Sequence, residues 1–271
     1  MDILHTKLHL LEQYLKDLGS AAVAFSGGVD SAFLMTAAHR TLGKQAIAVT
    51  ARSCAFPERE LREARELAKA EGIRHIEFDF PAFEVDGFAK NPPDRCYHCK
   101  TAILKQMRTI AKVEGLRHII EGSNVDDAKD YRPGAKAICE QGILSPLKES
   151  GLTKKEIRQL SKEWGLPTWN KQSAACLASR FAYGEAITEK KLSMVEQAED
   201  YLRDQGFGQL RVRAHGNLAR LELTGEDFEQ AAGKAKRQEI FRKLQALGFT
   251  YVTLDLCGYR MGSMNEALEI D

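Results

Sequence analysis

The stretch that most constrains this chain is Ser26-Gly27-Gly28-Val29-Asp30-Ser31. Ahead of it runs Ala21-Ala22-Val23-Ala24-Phe25, apolar and of strand length. Behind it Val29, Phe33, Leu34, Ala37 and Ala38 recur at helical spacing as far as Leu42. The six residues therefore turn a strand into a helix, with two glycines at the bend. Glycine lets a backbone approach a bulky anion, and the free N–H groups of a helix start point towards it. Ser26 and Ser31 add hydroxyl donors, and Asp30 is placed to hold magnesium against phosphate oxygens. The spacing is not that of a Walker nucleotide loop, which requires G-x-x-x-x-G-K-[ST].

The rest of the first half alternates strands with helices. A leucine stripe (Leu4, Leu8, Leu11, Leu15, Leu18) predicts an amphipathic helix over 3–18. Further strands are expected at 46–51, 74–80 and 115–121, with a helix over 57–70 that takes Pro57 into its first turn. Such alternation implies a parallel sheet whose ligands bind at the carboxyl ends of the strands, where Ser26, Arg52 and Gly122 fall. Gly122-Ser123-Asn124-Val125-Asp126-Asp127 is a second polar loop on that rim, read as part of the site in preference to a plain Asx turn. Thr153 and Glu156 form a capping box for a helix that ends at Trp164. From Thr188 the pattern becomes helix (188–205), two strands (209–214 and 217–223), a helical stretch (226–247) and a strand (249–256). The fold class expected is α/β, a parallel-sheet domain over 1–183 and a smaller α+β domain over 184–271.

Charge and cysteine content narrow the function classes. Lys plus Arg number 39 against 38 Asp plus Glu, a balance that gives no excess of cations for an extended nucleic-acid surface. No apolar stretch approaches membrane-spanning length and Met1-Asp2-Ile3-Leu4-His5 begins no signal peptide, so a cytoplasmic protein is expected. In that compartment six cysteines read as metal or catalytic thiols before disulfides. Cys96-Tyr97-His98-Cys99-Lys100 follows a proline loop at a helix start, and a C-x-x-C pair there serves as a redox dithiol or as two metal ligands. Cys176 sits in a loop of small and polar residues. Three thiolates can hold a 4Fe–4S cluster and leave one iron open. Cys54, Cys139 and Cys257 read as packing residues.

Ser-Gly-Gly-x-Asp-Ser resembles the PP-loop of the ATP pyrophosphatases, which cleave ATP between its α and β phosphates and leave AMP on a carbonyl or carboxylate oxygen. Four further stretches, Arg95–Lys100, Gly122–Asp127, Ala175–Arg180 and Gly258–Asn265, resemble the LarE family. These are ATP-dependent sulfurtransferases that make the pyridinium-3,5-bisthiocarboxylic acid mononucleotide of the nickel-pincer cofactor. The resemblance implies nucleotide contacts from Ala24, Ser26, Gly27, Gly28, Asp30, Ser31, Arg52, Lys100, Gly122 and Asp127, with magnesium on Asp30. It makes Cys176 the catalytic cysteine. In single-cysteine members that residue gives up its own sulfur and becomes dehydroalanine. Members with the extra C-x-x-C are understood to use a cluster, here on Cys96, Cys99 and Cys176. Arg211 and Arg213 alternate along a strand and share a face; with Arg180 and Arg260 they are expected to grip the phosphate of the mononucleotide substrate. Glu222, on the neighbouring strand, is a candidate metal or substrate ligand. The resemblance also implies a homo-oligomer, a hexamer.

Three rival readings remain at this point. A tRNA thiolase would also join such a loop to C-x-x-C, but calls for a basic face. An amidating synthetase leaves three cysteines without work. A nucleotide-sensing iron–sulfur module would bind ATP without releasing pyrophosphate.

Overall fold

The computed structural model describes residues 2–129, 133–172, 175–260 and 262–264. The chain forms two compact units, Met1–Val85 with Asp94–Ala174, and Asp86–Pro93 with Ala175–Asp271. The division falls upstream of the Tyr183-Gly184 position expected from the change of pattern. Its cause is local: Phe181 makes a parallel bridge to Ala214, and Asn91 Nδ2 donates to the carbonyls of Phe181 (3.3 Å) and Ala182 (2.7 Å). Both ties hold the stretch after Ala174 to the second unit.

In the first unit helix α1 (Ile3–Leu18) is capped by Asp2 and turns Leu4, Leu11 and Leu15 inward. Strands β1 (Ala21–Ala24), β2 (Ala46–Arg52), β3 (His75–Asp79) and β4 (His118–Ile120) make one sheet in the order β3-β2-β1-β4, every pair parallel. The register sets Ala21 against Ala46 and His118. Helices α2 (Val29–Leu42), α3 (Glu58–Ala70), α4 (Arg95–Val113), α5 (Pro133–Glu140), α6 (Pro146–Glu149) and α7 (Lys154–Glu163) complete it. The period-2 alternation of strands sorts the core. Ala21, Val23, Ala46 and Ala48 face α1, α2 and α7, while Ala22, Ile47 and Val49 share the other face with Leu104 and Met107 of α4. Alanines in β1 let α2 lie close, and Phe33 and Leu34 are fully buried there, each contributing about 1.5–3 kcal/mol. The sheet is thus covered on both faces, and the α/β class expected from the sequence holds.

Several boundaries differ from expectation. The fourth strand is short because α4 occupies residues up to Val113, and its turn at Gly115 (φ 69°) uses up the start. Leu144 extends the sheet edge by a single parallel bridge to Ile120. Pro57 stands at the N-cap of α3 and not within its first turn.

In the second unit α8 (Glu189–Asp204) precedes β5 (Leu210–His215) and β6 (Leu218–Leu223), an antiparallel hairpin that sets Arg211 opposite Glu222. The helical stretch expected over 226–247 is two helices, α9 (Gly225–Ala232) and α10 (Lys234–Ala246), because Gly233 adopts φ −56° and ψ 140° between them. Strand β7 (Tyr251–Leu254) joins β6 in parallel, giving the order β5-β6-β7. Cys54, Cys139 and Cys257, expected as packing residues, are all exposed: they lie in a turn, on the outer face of α5 and after β7. Among the described residues no helix is long and apolar enough to cross a membrane.

Candidate active site

In the first unit the loop between β1 and α2 is tied internally. Ser26 N–H donates to Ser31 Oγ at 3.2 Å, the two hydroxyls are 3.0 Å apart, and Ser31 Oγ donates to the Gly28 carbonyl at 3.2 Å. Gly27 holds φ 73°, and a Cβ on it would lie 2.9 Å from Ala64 Cβ, so only glycine fits the bend against α3. Gly122 packs onto the same turn: its Cβ would stand 3.0 Å from Ser31 N and 3.2 Å from Asp30 C. Ser26, Gly27, Gly28, Asp30, Ser31 and Gly122 therefore come together at the start of α2, directly after Ala24 at the end of β1.

The other expected nucleotide contacts are engaged elsewhere or stand apart. Arg52 lies on the rim, but its Nη2 pairs with Asp79 Oδ1 at 2.7 Å, the residue opposite it on β3. Asp127 Oδ2 accepts the Asn124 N–H at 3.0 Å and so shapes its own loop. Lys100 follows Cys96 by one turn of α4. Glu121, not anticipated from the sequence, is 5% exposed and accepts from Ser123 N–H (3.1 Å), Ser123 Oγ (2.9 Å) and Ser145 Oγ (2.5 Å).

Two lysines that the sequence did not mark close on the loop. Lys154 Nζ bonds Asp30 Oδ2, and its backbone N–H donates to Asp126 Oδ2 at 2.8 Å. Lys171 Nζ donates to the Gly27 carbonyl at 3.0 Å and pairs with Glu60 (2.7 Å) and Glu63 (2.8 Å). Both bring positive charge to a motif that contains none.

Cys96 and Cys99 lie at the start of α4, three residues apart on one face. Cys96 is exposed and Cys99 half-buried. Two thiols at this spacing suit a chelating pair. Among the described residues no three His, Cys, Asp or Glu side chains group as a metal site.

The second unit holds Cys176, half-buried ahead of the short turn Leu177–Arg180. Its carbonyl accepts from Ser179 N–H (3.0 Å), Ser179 Oγ (2.8 Å) and Arg180 Nη1 (3.1 Å). Arg180 is 1% exposed and also donates to the Ala175 carbonyl at 2.8 Å. Its other donors form a two-bond pair with Glu199, both at 2.8 Å. Burial alone would push Glu199 up; the charge and hydrogen bonds of Arg180, with Arg203 and Arg211, outweigh it and hold the carboxyl at about 2. Expected as a phosphate ligand, Arg180 is instead spent inside the protein, fixing the Cys176 loop.

Arg213 and Glu222 also differ from expectation. Arg213 donates Nε and Nη2 to Glu222 (3.0 and 3.1 Å), Nη1 to the Ser179 carbonyl (2.6 Å) and Nη2 to Ser263 Oγ (2.7 Å). Glu222 is fully buried and receives Arg220 (3.0 Å) and Ser263 as well, so its oxygens are saturated by the protein's own donors. Arg211 stands over the Tyr259 ring at 5.3 Å. Burial, then the like charge of Arg180, lowers its affinity for a proton. Arg260 lies 3.6 Å from Asp255. Met261 and Asn265 of the Gly258–Asn265 stretch lie outside the described residues. Glu199 could have been found: it interrupts the apolar stripe Leu192, Val195, Ala198, Leu202, where a carboxylate needs a buried cation.

The asparagine synthase family model matches residues 12–119, which contain the glycine loop, the first three parallel strands and the start of the fourth. An uncharacterized protein of Synechocystis sp. is 42% identical over 98% of this chain and 99% of its own length. An uncharacterized protein of Methanocaldococcus jannaschii is 28% identical over 88% and 90% respectively. The pyridinium-3,5-bisthiocarboxylic acid mononucleotide synthase of Lactiplantibacillus plantarum is 38% identical over 99% of this chain and 97% of its own. With likeness of that degree running through both units, the chain belongs to the LarE family of PP-loop sulfurtransferases.

Proposed function

We propose that the protein adenylylates the carboxylates of pyridinium-3,5-biscarboxylic acid mononucleotide with ATP and replaces AMP by sulfur. Membership of the family makes it an ATP-dependent, adenylating sulfurtransferase. The observation that carries the reading is the internally tied loop Ser26–Ser31, whose N–H groups open at the start of α2 beside Gly122.

A carboxylate oxygen attacks the α-phosphorus; its O–P bond forms as the bond to pyrophosphate breaks. Loop N–H groups stabilise the charge that gathers on the departing pyrophosphate. Magnesium on Asp30 would supply a counter-charge to the same oxygens. Sulfur then adds to the acyl carbon, and AMP leaves with the C–O bond electrons. In the second unit Arg180 holds the Cys176 backbone, so the thiol is presented from a fixed loop. Arg211 and Arg260 remain the candidates for the substrate phosphate. We infer a homo-oligomer, as the resemblance implies, and a place in the cytoplasm.

Two sulfur sources are consistent with the residues. Cys96, Cys99 and Cys176 would ligate a 4Fe–4S cluster, which when bound would provide transferable sulfide in place of protein sulfur. The alternative rests on Cys176 alone, whose Cβ–S bond breaks with loss of the Cα proton to leave dehydroalanine. The deciding experiment is an iron and acid-labile sulfide count on protein purified without oxygen. About four irons per chain, lost in Cys96→Ala, support the cluster. Absence of iron after reconstitution, with sulfur lost from Cys176 by mass on turnover, supports the sacrificial route. In both cases Cys176→Ala abolishes thiocarboxylate formation and spares pyrophosphate release; loss of both activities would overturn the division of labour.

A further inference from the structure

We propose that Lys154 is a placeholder cation of the nucleotide site: it neutralises Asp30 while the loop is empty, and yields Asp30 to magnesium and turns to the β and γ phosphates when ATP arrives. The inference rests on the adenylylation reading and adds to it a residue that neither the motif nor the resemblance points to.

The loop Ser26–Ser31 carries one carboxylate and no basic residue. An unneutralised Asp30 would repel a triphosphate, and the motif itself has no lysine to offset it. The cation comes from a distant part of the chain, 124 residues away, where Lys154 Nζ bonds Asp30 Oδ2. Its backbone is held firmly. Lys154 N–H is bonded to Asp126, and the capping box of Thr153 and Glu156 closes the same turn. Helix α7 is anchored to α2 through buried Ile157 and Leu160 and through Trp164, whose ring lies 4.8 Å from Phe33 and 4.2 Å from the Arg40 guanidinium. The stem of Lys154 thus starts from a fixed point, while its four-carbon arm keeps 32% exposure and room to swing.

Lys171 is the contrasting case. It is held by the Gly27 carbonyl, Glu60 and Glu63 at once and keeps 14% exposure, which suits a strut of the loop. Lys154 has Asp30 as its one carboxylate partner among the described residues. A flexible ammonium paired with a single carboxylate exchanges readily for a stronger partner. Phosphate oxygens provide one, and a divalent ion provides the same for Asp30.

The test is titration calorimetry on the full chain with three probes: inorganic pyrophosphate with magnesium, α,β-methylene-ATP with magnesium, and magnesium alone. Lys154→Met is expected to weaken both phosphate probes about 10- to 100-fold, the worth of one charge-assisted contact. The same variant is expected to bind magnesium alone about three- to fivefold more tightly, because Asp30 has lost its competitor. A misfolded protein would not gain affinity. Lys154→Arg is expected to hold pyrophosphate within about threefold of wild type, since it keeps the charge. Unchanged binding of all three probes in Lys154→Met, or a loss in Lys154→Arg equal to that in Lys154→Met, overturns the proposal alone. Failure of the wild type itself to bind pyrophosphate and the ATP analogue overturns the adenylylation reading with it.

Discussion

Around Ser26–Ser31 the first unit works with backbone groups, two hydroxyls and lysines that reach in from other segments. Around Cys176 the second unit works with whole charges: Arg180 locked to Glu199, Arg213 to Glu222, all nine-tenths or more buried. The first arrangement keeps its hydrogen bonds within the loop and has its shape set by glycine. The second exhausts its donors on its own carboxylates and carbonyls, and what it gains is the position of a loop. A loop that binds a nucleotide has to keep polar groups available, whereas the Cys176 loop, on the function proposed above, has to be held still.

If that contrast is right, the greatest cost falls on a buried pair. Glu199→Ala strands Arg180 in a dry site and is expected to cost about 3–5 kcal/mol, read as a lower urea midpoint. Glu199→Gln keeps the side-chain volume and one of the two acceptor oxygens and should cost less. The pH profile sharpens this. Folding depresses the Glu199 carboxyl from 4.5 to about 2. Its stabilisation is therefore complete above the unfolded value and is lost as pH falls from 4.5 towards 2. The stability gap between wild type and Glu199→Gln should be constant at neutral pH and shrink across that window. A gap independent of pH down to 2 would mean that the pair contributes no net charge interaction.

Gly27→Ala tests the other side. It places a methyl 2.9 Å from Ala64 Cβ in a left-handed backbone, at an expected cost of about 1–3 kcal/mol together with loss of ATP binding. A variant that kept its nucleotide affinity would show that the loop's shape is not what binds. The smallest effect is expected for Thr153→Ala, about 1 kcal/mol from the cap of α7. Pyrophosphate affinity should weaken with it if the first turn of α7 is what aims Lys154.

What the sequence revealed follows the same divide. The strand–loop–helix around Ser26 was legible because its signals are local: an apolar run, two glycines, helical spacing. The capping box of Thr153 and Glu156 was legible for the same reason, and both of its hydrogen bonds form. Lys154 and Lys171 were not, because their partners Asp30 and Gly27 lie far away along the chain and nothing in Thr153-Lys154-Lys155-Glu156 distinguishes one lysine from the next. The arginines of β5 were read correctly as sharing a face, yet their use could not be read. Alternation says which way Arg213 points, not that Glu222 and Ser263 are waiting there. The sequence shows one helical stretch over 226–247 because Gly233 alone does not announce a break; its extended ψ does.

The eight-residue excursion Asp86–Pro93 has a practical consequence. The second unit is assembled from two separate stretches of chain, so no single cut yields it whole. Expressed alone, residues 175–271 would lack Asn91 and leave the carbonyls of Phe181 and Ala182 without their amide donor, beside the very loop that carries Cys176. The Ala89 carbonyl that receives Ile187 N–H at 2.8 Å would be missing too. Anyone dissecting this protein needs to graft the excursion onto the fragment, or to leave the chain entire.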